Sequence, residues 1–196
     1  MKAVLISIQP KWCELIASGK KTVEVRKTKP KIEMPFKVYI YATEPRNKRD
    51  LGLCLDDGKV GLIYRWNYDY ARRHKMPILS GKVIGEFVCR RIEELYQCNS
   101  GWVQAYACLS RDEFFDYLGI PRKTHLGYDK KAYGWLISDL VIYDKPKELS
   151  EFKRTEEHIN KKMNSVSYWE CGVDDEVARE IKRPPQSWCY VEEVIR

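Results

Sequence analysis

No run of roughly 18 or more consecutive apolar residues occurs in the chain. Its first residues hold one lysine and then a short, strand-like apolar stretch. Neither a membrane span nor a signal peptide is expected, and the reading is a protein of the reducing cytoplasm. The cysteines Cys13, Cys54, Cys89, Cys98, Cys108, Cys171 and Cys189 form an odd set without a Cys-x-x-Cys pair, and no histidine lies at finger spacing from any of them. This excludes a zinc knuckle and a disulfide framework, and no metal or other cofactor is expected. Histidine is scarce: His74, His125 and His158 each lie among polar residues, with no acid and nucleophile in a recognisable motif. A Ser-His-Asp triad is therefore not indicated. Internal repeats and low-complexity tracts are also missing.

Charge, in contrast, is plentiful. Charged residues make up 32% of the 196 residues and leave a net charge of +7, above the usual quarter or so. The excess is local. Between Lys11 and Asp50 there are 11 basic and 5 acidic residues, so this window carries six of the seven surplus charges. Concentrated positive charge attracts phosphates and releases counterions when they bind; a merely solvated basic face would have the same composition. A length of 196 residues fits a single domain over 1–196.

The periodicity is mostly that of strands. Ala3 to Ile8 reads as a buried strand. Pro10 then opens a helix carrying Trp12, Leu15 and Ile16, and Gly19 stops it. After Lys20 and Lys21 the period changes to two, with Thr22, Glu24 and Arg26 on one strand face and Val23 and Val25 on the other. Further strands are expected at Phe36–Ala42, Gly81–Arg91, Tyr133–Tyr143 and Ser187–Val191. Between the first two of these the pattern reads as a loop from Arg46 to Gly58, a short strand at Val60–Tyr64 and a short helix at Asn67–His74. Ser110 and Glu113 form a capping box opening a helix that buries Phe114, Phe115 and Leu118 and ends at Gly119 and Pro121. The segment 150–183 is polar, with seven basic and eight acidic residues, and reads as a helical or irregular insertion before the last strand. The expected class is α+β, or a small barrel with helical decorations.

The polar face after the first helix carries the chemistry. Lys20 and Lys21 follow a glycine-ended helix, and Glu24 and Arg26 point the same way two residues apart. Arg26 offers a fork for a phosphate or base edge, Glu24 an acceptor for an exocyclic amine, and Trp12 or Trp188 a ring to stack on. Each has an ordinary alternative. Glu24 and Arg26 can be a same-face ion pair, Trp12 a core residue beside Leu15 and Ile16, Gln9 a turn or cap residue at the end of the first strand, and Cys13 an inert buried thiol.

The stretch Ile6-Ser7-Ile8-Gln9-Pro10-Lys11-Trp12, followed by Ser18-Gly19-Lys20-Lys21-Thr22-Val23-Glu24-Val25-Arg26, resembles the signature of ASCH domains, a branch of the PUA-like superfamily. The resemblance continues at Tyr133-Gly134-Trp135-Leu136-Ile137 and at Arg183-Pro184-Pro185-Gln186-Ser187-Trp188. It implies a small β-barrel with flanking helices and a cleft beside the Gly-x-Lys-x-x-Glu-x-Arg segment. It also implies RNA, another nucleic acid, or a nucleotide or modified nucleoside as partner. The expected ligand contacts are Gln9, Trp12, Lys20, Lys21, Glu24, Arg26 and Trp188. Some compact ASCH proteins resemble amidohydrolases that deacylate N4-acylated cytidine through a Lys-Thr-x-Thr-x-Arg motif and a distant Glu. Here the motif reads Lys21-Thr22-Val23-Glu24-Val25-Arg26, with Glu24 replacing the nucleophilic Thr. On the enzyme reading, Lys21 and Glu24 are the catalytic pair. A third reading is an interaction protein that uses the basic face and the insertion.

Overall fold

The computed structural model describes residues 1–120, 130–155 and 179–194. Most of the expected insertion, together with Pro121, His125, His158 and Cys171, lies outside the described residues. Eight strands are described: β1 (Lys2–Ile8), β2 (Val23–Arg26), β3 (Phe36–Ala42), β4 (Leu51–Asp56), β5 (Lys59–Tyr64), β6 (Val83–Leu95), β7 (Ala132–Lys147) and β8 (Trp188–Glu192). The helices are α1 (Pro10–Ala17), α2 (Tyr68–Arg73), α3 (Ser100–Ala107) and α4 (Arg111–Leu118). Six strands form one sheet in the order β2-β7-β6-β3-β1-β8, and β4 and β5 form a separate hairpin. The fold is α+β.

β1 lies between β3, which it pairs in parallel, and β8, which it pairs antiparallel. Both of its faces are covered, so Ala3 to Ile8 are all buried. Val4, Ile6 and Ile8 enter the main core with Cys13 and Ile16 of α1, Phe87 and Trp135. Ala3 and Leu5 face the opposite side, with Tyr39, Phe152 and Val191. A third cluster packs Val23 and Val25 of β2 against Val103 of α3 and Phe114, Phe115 and Leu118 of α4. Full burial of each such side chain stabilises by about 1.5–3 kcal/mol. This cluster fixes β2, a strand of only four residues, at the sheet edge.

The expected barrel does not close through backbone pairing, because β2 and β8 are the two ends of the sheet. Side chains bridge the seam between them. Arg26 donates through Nη2 to the Ser7 carbonyl at 2.7 Å and through Nη1 to Ser187 Oγ at 3.4 Å. Trp188 Nε1 donates to Thr28 Oγ1 at 3.0 Å, and the Lys31 amide donates to the Tyr190 hydroxyl at 2.6 Å. The short β2 is already committed to β7, and Pro30 follows closely without an N–H to extend a ladder.

Other differences from the sequence reading are local. β4 and β5 make a full antiparallel hairpin from Leu51 to Tyr64 where a loop was expected as far as Gly58. β7 continues to Lys147, through a register irregularity against β6 and past Asp139 at φ 48°.

α4 matches its sequence signals. Ser110 Oγ accepts from the Glu113 amide at 3.2 Å, Glu113 Oε2 accepts from the Ser110 amide at 2.9 Å, and Gly119 ends the helix at φ 67°. Ser110→Ala removes half of this reciprocal cap and is expected to cost about 1 kcal/mol in urea unfolding.

Candidate functional site

The turn after α1 and the start of β2 bring three charges together in the interior. Gly19, at φ 73°, reverses the chain, and the Lys21 amide returns to the Leu15 carbonyl at 2.9 Å. Glu24 Oε1 then lies 2.9 Å from Arg26 Nη2, and Glu24 Oε2 lies 3.4 Å from Lys21 Nζ. The three side chains are 2%, 7% and 10% exposed for Lys21, Glu24 and Arg26. Lys21 Nζ also donates to the Ala107 carbonyl at the end of α3, at 2.8 Å. The Nε of Arg26 is buried without a hydrogen-bond partner. An unmet buried donor costs about 1–3 kcal/mol.

This group lies in a cleft of about 1440 Å³. One wall is the N-terminal end of α1, with Gln9, Pro10, Lys11 and Trp12; another is α4, with Glu113, Asp116 and Tyr117. The segment 43–51, Tyr64 of β5 and residues 184–186 complete it. Lys11 spans the mouth to Glu113 at 3.1 Å. The lining is not net basic: Lys11, Lys21, Arg26, Arg46 and Arg49 are matched by Glu24, Glu44, Asp50, Glu113 and Asp116. Charges buried in low dielectric need counter-charges. Most of the surplus that the sequence concentrates in this window lies outside the cleft lining, on the exposed Lys20, Lys27, Lys29, Lys31 and Lys48.

Gln9, Trp12, Lys21, Glu24 and Arg26 all line the cleft; Lys20 and Trp188 are not among its lining residues. Gln9 occupies the N-cap position of α1, yet its side chain makes no capping hydrogen bond. The half-buried Trp12 packs on the main core, and the ammonium groups of Lys11 and Lys21 lie 4.3 and 5.2 Å from its ring centroid. Trp188 stands at the seam with its ring against Trp135 and Tyr190. The expected contacts did not include Tyr117 or, although the basic window reached Asp50, the lining residues 43–46 and 49–51. Tyr117 had a signal, since it lies one position before Leu118 in a helix whose apolar stripe was clear.

Burial pushes the Tyr117 hydroxyl above its ordinary range, with Arg26 opposing and Glu24 assisting, so it stays a proton donor. The Ser110 amide, helped by Lys11, holds the Glu113 carboxyl below the usual range against the opposing effect of burial. Burial pushes the Cys13 thiol far up, and the nearby Glu24 charge adds to this. Burial likewise pushes Cys89 up to about 12 and Cys189 up to about 11. Among the described residues, no cluster of three or more His, Cys, Asp or Glu could hold a metal, and no helix is long and apolar enough to cross a membrane.

Two outcomes follow. Glu24→Gln leaves Lys21 and Arg26 buried without a counter-charge and is expected to lower stability by roughly 3–5 kcal/mol in urea unfolding. Iodoacetamide at neutral pH is expected to label the exposed Cys98 and to spare Cys13, Cys89 and Cys189 in the folded protein, as read by peptide mass mapping.

Comparison with known proteins gives this arrangement its relatives. No curated protein matches the chain. The crystal structure of the ASCH protein of Zymomonas mobilis is similar with a TM-score of 0.51 and 21% identity, over 97% of this chain and 88% of that one. A tyrosine-to-phenylalanine variant of the same protein gives a TM-score of 0.52 and 20% identity, over 98% of this chain and 92% of that one. This is a likeness of fold. The sequence model described as the ASCH domain matches residues 6–158, which take in the end of β1, the Lys21-Glu24-Arg26 segment and all of β7, and the chain belongs to the ASCH domain family.

Proposed function

We propose that the chain is a nucleic-acid-binding module that seats one nucleotide of an RNA strand in the cleft between α1, α4 and the sheet seam. The observation that carries this reading is the buried Lys21-Glu24-Arg26 group facing a cleft large enough for a nucleotide. Fixed charges of both signs suit the donors and acceptors of a base edge, and the uncapped amide of Gln9 and the Tyr117 hydroxyl supply neutral partners. The exposed Arg46 and Arg49 of the lining suit phosphates.

Recognition is favoured over catalysis by the state of Glu24. A general base needs a carboxylate oxygen free to take a proton, whereas one oxygen of Glu24 faces Lys21 and the other Arg26. Lys21 is in turn engaged by the Ala107 carbonyl. The deacylase reading, in which Lys21 and Glu24 hydrolyse an N4-acylated cytidine, has the pair at 3.4 Å in its favour but a carboxylate committed on both oxygens.

Filter binding of single-stranded RNA is expected to weaken roughly 10- to 20-fold between about 50 and 200 mM salt, as about three phosphate contacts require. Gln9→Ala changes an exposed side chain and is expected to weaken binding while leaving the fold intact. Lys21→Met is expected to weaken binding further. Absence of RNA binding at either salt concentration overturns the reading. Release of acetate from N4-acetylcytidine, abolished by both Lys21→Met and Glu24→Gln in folded protein, replaces it with the hydrolase.

A further inference from the structure

We propose that the β4–β5 hairpin provides a second nucleotide subsite, a stacking platform at the mouth of the cleft, so that the ligand is a single strand of at least two nucleotides. The inference rests on the reading of the cleft as a nucleotide site.

Tyr64 ends β5, and Trp66 follows it in a 3-10 turn at 65–67. Their rings stack at 4.3 Å between centroids and 14° between planes, and the residues remain 43% and 51% exposed. Single exposed aromatics are ordinary. A nearly parallel pair held in water on a two-stranded hairpin presents a flat face of the kind on which bases stack. Tyr64 and its cross-strand partner Leu51 also line the cleft, so the platform is continuous with the floor that holds Lys21, Glu24 and Arg26.

A basic turn is tied to the same residues through the backbone. The Trp66 amide donates to the Lys48 carbonyl at 3.2 Å, and the Arg65 amide donates to the Asp50 carbonyl at 3.1 Å. The Arg65 guanidinium donates to the carbonyls of Pro45 and Arg46. These bonds fix the aromatic pair to the basic turn 46–49. The Asp50 carboxylate accepts from the amide and the side chain of Asn47 at 2.8 and 3.2 Å. Arg46, Lys48 and Arg49 have no acidic partner within ion-pair distance among the described residues.

A planar stack joined to a turn whose cations have no acidic partner among the described residues matches a chain that alternates bases and phosphates. An acidic peptide would satisfy the cations and leave the aromatic face without a planar partner. Size points the same way. The cleft, at about 1440 Å³, exceeds the roughly 300–1,000 Å³ of pockets built for one small molecule.

The test compares a fluorescein-labelled random-sequence RNA hexamer, followed by anisotropy, with the four nucleoside 5′-monophosphates, followed by calorimetry. The proteins are the unaltered chain, the single variant Trp66→Ala, whose side chain lies outside the cleft lining, and the double variant Arg46→Ala/Arg49→Ala. All three side chains are exposed, and an unchanged urea midpoint verifies that the variants fold. Loss of Trp66 is expected to weaken the hexamer about tenfold, the effect of one stacked base, and to change the monophosphates less than twofold. Loss of the arginines is expected to weaken the hexamer and flatten its salt dependence. Hexamer and monophosphates affected equally by Trp66→Ala, or a hexamer indifferent to it, overturns the platform and leaves the cleft reading standing. Binding of neither probe by the unaltered chain removes both. A poly-glutamate peptide that binds as tightly as the hexamer, with the same dependence on Trp66, assigns the surface to an acidic protein partner and overturns the proposal.

Discussion

The carboxylate of Glu24 must be neutralised inside the protein, and much of the surrounding architecture follows from that need. Desolvating a carboxylate costs several kcal/mol, which is recovered only if its partners are close and are themselves fully hydrogen-bonded. Lys21 and Arg26 meet the first condition from either side. The second condition, met apart from the buried Nε of Arg26, extends their influence outward. Lys21 finds its remaining acceptor at the end of α3, and Arg26 finds its own on β1 and just before β8. One buried charge thus ties a sheet edge, a helix terminus and two distant strands to the same point.

That point is also where the sheet fails to close. A seam bridged by backbone pairing would have no room for side chains of this size, and its peptide groups would be spent on each other. A seam bridged by Arg26, Trp188 and Tyr190 keeps polar groups at hand and leaves a gap that α1 and α4 can wall. The short β2 followed by Pro30 is the sequence cause, and the cleft is its structural result. The charge-balanced lining belongs to the same logic, since cations that need counter-ions inside cannot also supply a basic surface.

Signals confined to a few neighbouring residues were legible in the sequence. Pro10 and Gly19 bracket α1, Ser110 and Glu113 cap α4, and the alternation from Thr22 to Arg26 puts Glu24 and Arg26 on one face. What escaped depended on partners far along the chain. α3, for which no element was expected, begins at the weak helix formers Ser100 and Gly101, and its helical state goes with the packing of Val103 and Ala107 against β2 and α4. The first strand of the hairpin contains Gly52, whose hydrogen in place of a side chain admits Tyr68, so glycine that suggested a loop is there for close packing. Nothing in the neighbours of Trp188 reveals that its ring packs against Trp135, some fifty residues earlier. The open seam was invisible for the same reason.

The bridge from Arg26 to Ser187 spans 161 residues of sequence, and that from Ser7 to the Pro185 carbonyl spans 178. Contacts of such separation form late, because the loop entropy between their ends must be overcome before they contribute anything. During synthesis the ribosome delivers β1, α1 and β2 well before residues 185–187. A nascent chain therefore contains Lys21, Glu24, Arg26 and the Ser7 carbonyl but lacks Ser187, the second acceptor of the arginine. Completion of the cleft is in this sense a checkpoint on the whole chain, and a polypeptide stalled short of that stretch would present the right residues in an unfinished site.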